Sequence, residues 1–153
     1  MSGELDKLDR EILNEVQKDI SQPRVSLIAK KLGKPVTTIH QRLKKLKKEG
    51  FIRSYIGKIN PEKIGKPLVV WILLAFESAQ EYEKIGEKLS HLPCIQEVHF
   101  VSGIYSFLIK LRVKDVNEYY LISTQKIQQM LGLIRIEGIV TYKTFLERHE
   151  IFV

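Results

Sequence analysis

Cysteine is almost absent: Cys94 is the single one in 153 residues. No intrachain disulfide can form, so a disulfide-built secreted scaffold is excluded, and no second cysteine exists to complete a zinc or redox pair. Long apolar runs are missing as well. The longest, Leu68 to Phe76, falls far short of the roughly 20 residues that span a bilayer. The amino terminus, MSGELDKLDREIL, is acidic and amphipathic with no apolar centre. No membrane association is expected, and a cytoplasmic location is the default. Catalytic signatures are equally scarce. The four histidines, His40, His91, His99 and His149, lie in separate stretches without metal-ligand spacing. Gly33-Lys34-Pro35 carries proline where a phosphate loop has Ser or Thr, and the upstream glycine is missing. No Gly-x-Ser-x-Gly, His-Glu-x-x-His or dinucleotide fingerprint occurs. We therefore expect no catalytic residue, no metal site and no cofactor.

What the chain does have is an uneven distribution of charge. The net charge is +7. Residues 1–60 hold 14 of the 25 Lys and Arg but 7 of the 18 Asp and Glu, which leaves 11 of each sign in residues 61–153. The whole excess sits in the first part, so binding to a polyanion and some second task are divided along the chain.

The excess concentrates in SLIAKKLGKPVTTIHQRLKKLKK, residues 26–48. Between Lys34 and Lys48 lie six basic residues and no acidic one. Like charges at helical spacing repel, so such a run adds nothing to folding and calls for a neutralising partner, most commonly nucleic-acid phosphate. A solvated amphipathic helix is the bland alternative. Against it stand Ala29, Gly33 and Ile39, spaced as a tight turn between two crossing helices requires: Ala29 permits close approach, Gly33 takes a positive φ, and Ile39 fills the crook. Val36, Ile39, Leu43 and Leu46 recur at steps of three and four as the packing face. Thr37, Thr38, His40, Gln41 and Arg42 are then expected to approach base edges of double-stranded DNA, with Lys44, Lys45 and Lys48 on phosphates.

Around this stretch, Leu5, Leu8, Ile12, Leu13, Val16 and Ile20 predict a first helix over residues 6–20, with Asp6 and Asp9 at its positive end. Pro23 separates it from the second helix and Pro35 opens the third. Gly50 ends the third, and FIRSYIGKI, residues 51–59, alternates as a strand or a short two-stranded wing. Residues 1–59 therefore read as a winged helix-turn-helix domain, and residues 60–67, with Asn60-Pro61 and Gly65-Lys66-Pro67, as a hinge.

Residues 68–153 read as a second module. Leu68–Phe76 is apolar on both strand faces, which predicts helices over one and a second copy of the chain over the other. A helix follows through Tyr82, Ile85, Leu89 and Leu92. Residues 95–101 and 105–113 form a hairpin across Ser102-Gly103-Ile104. A second helix runs from Asp115 through Ile127, and a last strand covers residues 134–145. The order βαββαβ is ferredoxin-like, which makes the whole chain α+β.

These residues bring the chain close to a known group. Leu5-Asp6-Lys7-Leu8-Asp9-Arg10-Glu11-Ile12-Leu13 resembles the Leu-Asp-x-x-Asp-x-x-Ile-Leu opening of the Lrp/AsnC, or feast/famine, transcription regulators. Ala29, Gly33, Arg42, Leu46 through Gly50, Ile52 and Tyr55 follow that family's helix-turn-helix, and Val101-Ser102-Gly103-Ile104-Tyr105 resembles its effector-domain hairpin. The resemblance implies a nucleoid-associated DNA-binding regulator, commonly of amino-acid or nitrogen metabolism genes. It also implies a ferredoxin-like domain that dimerises, assembles to tetramers or octamers, and binds a small effector such as an amino acid or a related metabolite. By the same resemblance the effector position is lined by Ser102, Gly103, Tyr105, Ser106, Glu137 and Gly138.

Three departures matter. Pro35 stands where the family usually has a serine cap, Ser106 where an aspartate is common, and Gly138 where a threonine is common. Ser106 offers an ammonium only a neutral hydroxyl, roughly half as strong as a charge-assisted bond. The expectation is an effector other than a common α-amino acid, or none. The alternative function, an enzyme of the haem-biosynthesis decarboxylase type on the same architecture, gives no reason to keep six positive charges on one helix.

Overall fold

The computed structural model describes residues 4–18, 23–77, 81–151 and 153. The chain divides into two compact units, residues 1–59 together with 146–153, and residues 60–145.

The first unit is a three-helix arrangement of α1 (Lys7–Lys18), α2 (Val25–Leu32) and α3 (Val36–Lys48). Asp6 caps α1, its Oδ1 accepting the Asp9 N–H at 2.8 Å. The apolar stripe of α1 buries Ile12, Leu13 and Val16 against Ile28 and Ala29 of α2 and Ile39, Leu43 and Leu46 of α3. Ile20, the last member of that stripe, lies outside the described residues. Both helices of the turn motif stop on left-handed glycines. Gly33 has φ 62°, with its N–H on the Lys30 carbonyl at 3.4 Å and the Lys34 N–H on the Ala29 carbonyl at 3.0 Å. Gly50 has φ 81°, and the Phe51 N–H reaches back to the Leu46 carbonyl at 3.0 Å. These paired backward bonds satisfy the last carbonyls of each helix, and a side chain at either glycine would be strained.

Residues 51–59 form no strand, unlike the expected wing. Ile52 is buried in the helical core with Phe51 and Tyr55 packed beside it, and the remaining residues run without regular structure. A strand needs a ladder partner, and no other strand is described in this unit. Residues 146–153, expected in the second module, group with this unit instead, because Ile151 and Val153 bond to α1. Gln17 bonds both backbone groups of Ile151, and Asn14 bonds both of Val153.

The second unit is a four-stranded antiparallel sheet, in the order β2 (Ile95–Phe100), β3 (Phe107–Val113), β1 (Leu68–Phe76), β4 (Leu133–Val140). Two helices complete it, α4 (Tyr82–Ser90) and α5 (Val116–Ile122), the latter continuing as a π turn over Ser123–Ile127. Asp115 caps α5 by accepting the Glu118 N–H at 2.8 Å. The strand alternation sends Val70, Ile72, Leu74 and Phe76 of β1 and Phe107, Ile109, Leu111 and Val113 of β3 into one core with Ile85, Leu89 and Ile127 from the helical segments. Val69, Trp71, Leu73 and Ala75 point to the opposite face, where the Lys110 ammonium lies 5.5 Å from the centre of the Trp71 ring and 3.1 Å from Glu97. β1 and β3 end as the alternation predicts, but β3 begins at Phe107 rather than 105, β2 ends at Phe100 rather than 101, and β4 runs from Leu133 to Val140 rather than from 134 to 145.

Candidate nucleic-acid interface and effector loop

Helix α3 separates its residues by chemistry. Ile39, Leu43 and Leu46 hold it to the core, which leaves Thr37, His40, Gln41, Lys44, Lys45 and Lys48 exposed and Thr38 half-buried. Among the described residues no carboxylate pairs with Lys34, Lys44, Lys45 or Lys48. Three of these amines stand on the last two turns of one helix, so their mutual repulsion is answered only by solvent or by a ligand. Pro35 precedes the helix and offers its first N–H groups no side-chain acceptor.

Arg42 is employed differently from its expected approach to bases. Its Nη1 donates to Asp6 and, at 3.0 Å, to Asp9 of α1, and Asp9 is 1% exposed. The Asp6 hydrogen bond, then that of Asp9, raises the arginine above its ordinary value. Its bond to Arg42, followed by its cap on Asp9, lowers Asp6. A guanidinium held by two carboxylates fixes α3 onto α1 and is not free to search a groove. Val36, expected on the packing face, is instead 52% exposed. The buried stretch of α3 begins at Ile39, so its first turn lies outside the packed part.

The hairpin loop of the second unit is held from within. The Val101 N–H donates to the Ser106 carbonyl at 2.9 Å, and the Ser106 N–H donates to the Leu74 carbonyl at 2.7 Å. The Ser106 hydroxyl accepts the Phe76 N–H at 3.4 Å. Ser106 is thereby a β1-facing residue, while Ser102, Gly103 and Ile104 form the exposed turn, with Gly103 at φ 122°. Tyr105 donates its phenol to Glu137 of β4, and that bond holds the phenol above its ordinary value. Arg135 opposes the shift.

The six residues of the effector position do not share one face. Glu137 pairs in register with Leu73 and Gly138 with Ile72, so the two point to opposite sides of the sheet. Gly138 turns toward the helices, and a Cβ there would stand 1.9 Å from the Tyr119 hydroxyl and 2.9 Å from its ring carbon Cζ. Tyr119 of α5 thus fills the volume above Gly138. Neither Tyr119 nor Arg135 was anticipated. The available signal was the glycine itself, since an isolated glycine inside a strand marks a close approach.

Comparison with known proteins finds two matching families along the chain. Residues 5–53 match a winged helix-turn-helix DNA-binding family, and residues 68–151 match the Lrp/AsnC ligand binding domain. The leucine-responsive regulatory protein of Escherichia coli K12 is 32% identical over 152 residues, 97% of this chain and 87% of that protein. An uncharacterised HTH-type transcriptional regulator of Pyrococcus horikoshii is 31% identical over 145 residues, 94% of this chain and 96% of its own. Among solved structures, E. coli AsnC superposes with a TM-score of 0.86 at 25% identity, over 95% of this chain and 97% of that one.

Proposed function

Since this chain belongs to the Lrp/AsnC family of DNA-binding transcriptional regulators, a class without enzymatic activity, we propose that it reads operator DNA with α3 and serves genes of amino-acid or nitrogen metabolism. The observation that carries this reading is the open basic face of α3, whose lysines have no carboxylate partners among the described residues. Thr37, Thr38, His40 and Gln41 approach base edges, and Lys44, Lys45 and Lys48 meet phosphates. Arg42 is left out of the reading set because Asp6 and Asp9 hold it.

The domain roles follow the same line: residues 1–59 bind DNA, residues 60–67 are the hinge, and residues 68–145 dimerise and sense, while residues 146–153 belong with the DNA-binding unit. Two copies associate through the sheet face that carries Val69, Trp71, Leu73 and Ala75, dimers build a tetramer or octamer, and the protein works at the nucleoid in the cytoplasm. The effector is a metabolite other than a common α-amino acid. Two features support that choice: Ser106 supplies no anionic acceptor, and Tyr119 occupies the space above Gly138.

Selection of bound fragments from the source genome tests the reading. A shared, roughly two-fold symmetric sequence with half-sites about 10 base pairs apart, or a multiple of that, is expected. Replacing Lys45 by Ala is expected to weaken all sequences alike and flatten the salt dependence by about one unit. Fragments enriched without any common sequence would overturn it.

A further inference from the structure

Val36 opens α3 with 52% of its surface exposed, whereas Ile39, Leu43 and Leu46 of the same helix are exposed by 0%, 6% and 0%. It therefore contributes little to the core, and as a β-branched residue it is a weaker helix former than alanine. Its neighbours on the open side are chemically unlike it. Thr37 follows directly, and His40 lies one turn further along the same row, both exposed. Valine in a helix keeps essentially one side-chain rotamer, so its two methyls are presented to a partner at small entropic cost. A helical Cα–Cβ bond also tilts toward the helix N-terminus, which aims this first-turn side chain at whatever the leading end of α3 meets.

In a DNA major groove the donor and acceptor edges of the bases are polar, and the one apolar group displayed there is the C5-methyl of thymine. The lysines of the later turns cannot detect it, because a phosphate contact carries no base identity. Resting on the proposal that α3 reads operator DNA, we infer that Val36 is a specificity-determining residue that seats its methyl groups against a thymine C5-methyl in each half-site.

The test removes that methyl alone. The full-length protein first selects its preferred site from random-sequence duplexes. The selected duplex is then remade with deoxyuridine at each thymine in turn and titrated by fluorescence anisotropy. One thymine per half-site is expected at which uracil weakens the wild-type protein about fourfold, the worth of burying one methyl group. Val36→Ala is expected to bind the thymine duplex about fourfold per half-site more weakly and to lose nothing further on uracil, with its salt dependence unchanged. Val36→Thr keeps one methyl and is expected to fall between them, and circular-dichroism melts establish that both variants fold.

Wild-type protein indifferent to uracil at every thymine would overturn the inference. So would a preferred site without thymine, or Val36→Ala that remains as sensitive to uracil as the wild type. Failure of the parent reading looks different: no sequence is selected at all, and the role of Val36 falls with it.

Discussion

Arg42 and Asp9 stand 33 residues apart in sequence, and Arg42 Nη1 donates to Asp9 Oδ1 at 3.0 Å across the interface of α3 and α1. Asp9 is 1% exposed, so this guanidinium is what keeps a carboxylate tolerable inside the helical unit. Arg42→Ala is expected to destabilise the unit by about 1–3 kcal/mol, the cost of leaving a buried acceptor without its partner. In urea unfolding, most of that loss should vanish when Asp9 is already alanine, because a double-mutant cycle isolates the pair. The salt dependence of DNA binding, measured per folded molecule, should stay at its wild-type slope, unlike that of Lys45→Ala. A slope reduced equally by both substitutions would return Arg42 to the DNA contacts.

Acid should loosen the same unit, and the direction follows from two lowered carboxyls. The Arg42 hydrogen bond lowers Asp6 from 3.8, and the Lys18 bond, then that of Lys31, lowers Glu15 from 4.5. A carboxyl lowered in the folded state binds fewer protons there than in the unfolded chain. Its stabilisation is complete above the unfolded value and is lost as pH falls through the folded one. Melting temperature is therefore expected to decline below pH 4.5 for Glu15 and below 3.8 for Asp6. Glu15→Gln and Asp6→Asn should each flatten the part of the decline that belongs to it. A variant whose acid profile overlays the wild type would show that its carboxyl contributes nothing there.

Gly138 and Tyr119 should behave as one unit in the sheet domain. Gly138→Ala places a methyl where the Tyr119 hydroxyl now lies. Overpacking of this kind costs about 1–3 kcal/mol. The cost should largely disappear in a Tyr119→Ala background, which empties the space. Additive losses in thermal melts would mean that the two residues do not compete for one volume.

The carboxy-terminal segment should depend on two amides of α1. Gln17 donates to the Ile151 carbonyl at 2.8 Å and accepts the Ile151 N–H at 2.6 Å, and Asn14 makes the same two bonds to Val153 at 3.1 Å and 3.3 Å. Asn14 and Gln17, three apart on α1, lie on one face of the helix, so the two amides can grip one segment. Replacing Asn14 and Gln17 together by leucine should speed hydrogen exchange at the Ile151 and Val153 amides. The core amides of α1 should be spared, since each exposed bond is worth only about 1 kcal/mol. Unchanged exchange at those two amides would show that the side-chain bonds do not hold the segment.

The sequence by itself determined the parts that depend on neighbours along the chain. Apolar spacing placed all three helices and the sheet elements. Gly33 and Gly50 marked the helix ends because few other residues take a positive φ without strain. The lysine run marked the basic face because charge needs no tertiary context to be counted. Tertiary structure alone decided which of those residues is free. Arg42 reads as one more base-facing cation until α1 brings Asp6 and Asp9 to it, and Val36 reads as core until the packed part of α3 is seen to begin at Ile39. The alternation of residues 51–59 suggested a wing, yet a strand exists only where a second strand meets it. Tyr119 over Gly138, and Gln17 on Ile151, join residues far apart in sequence. Such contacts depend on how elements are placed against one another, which the periodicity of any one element leaves open.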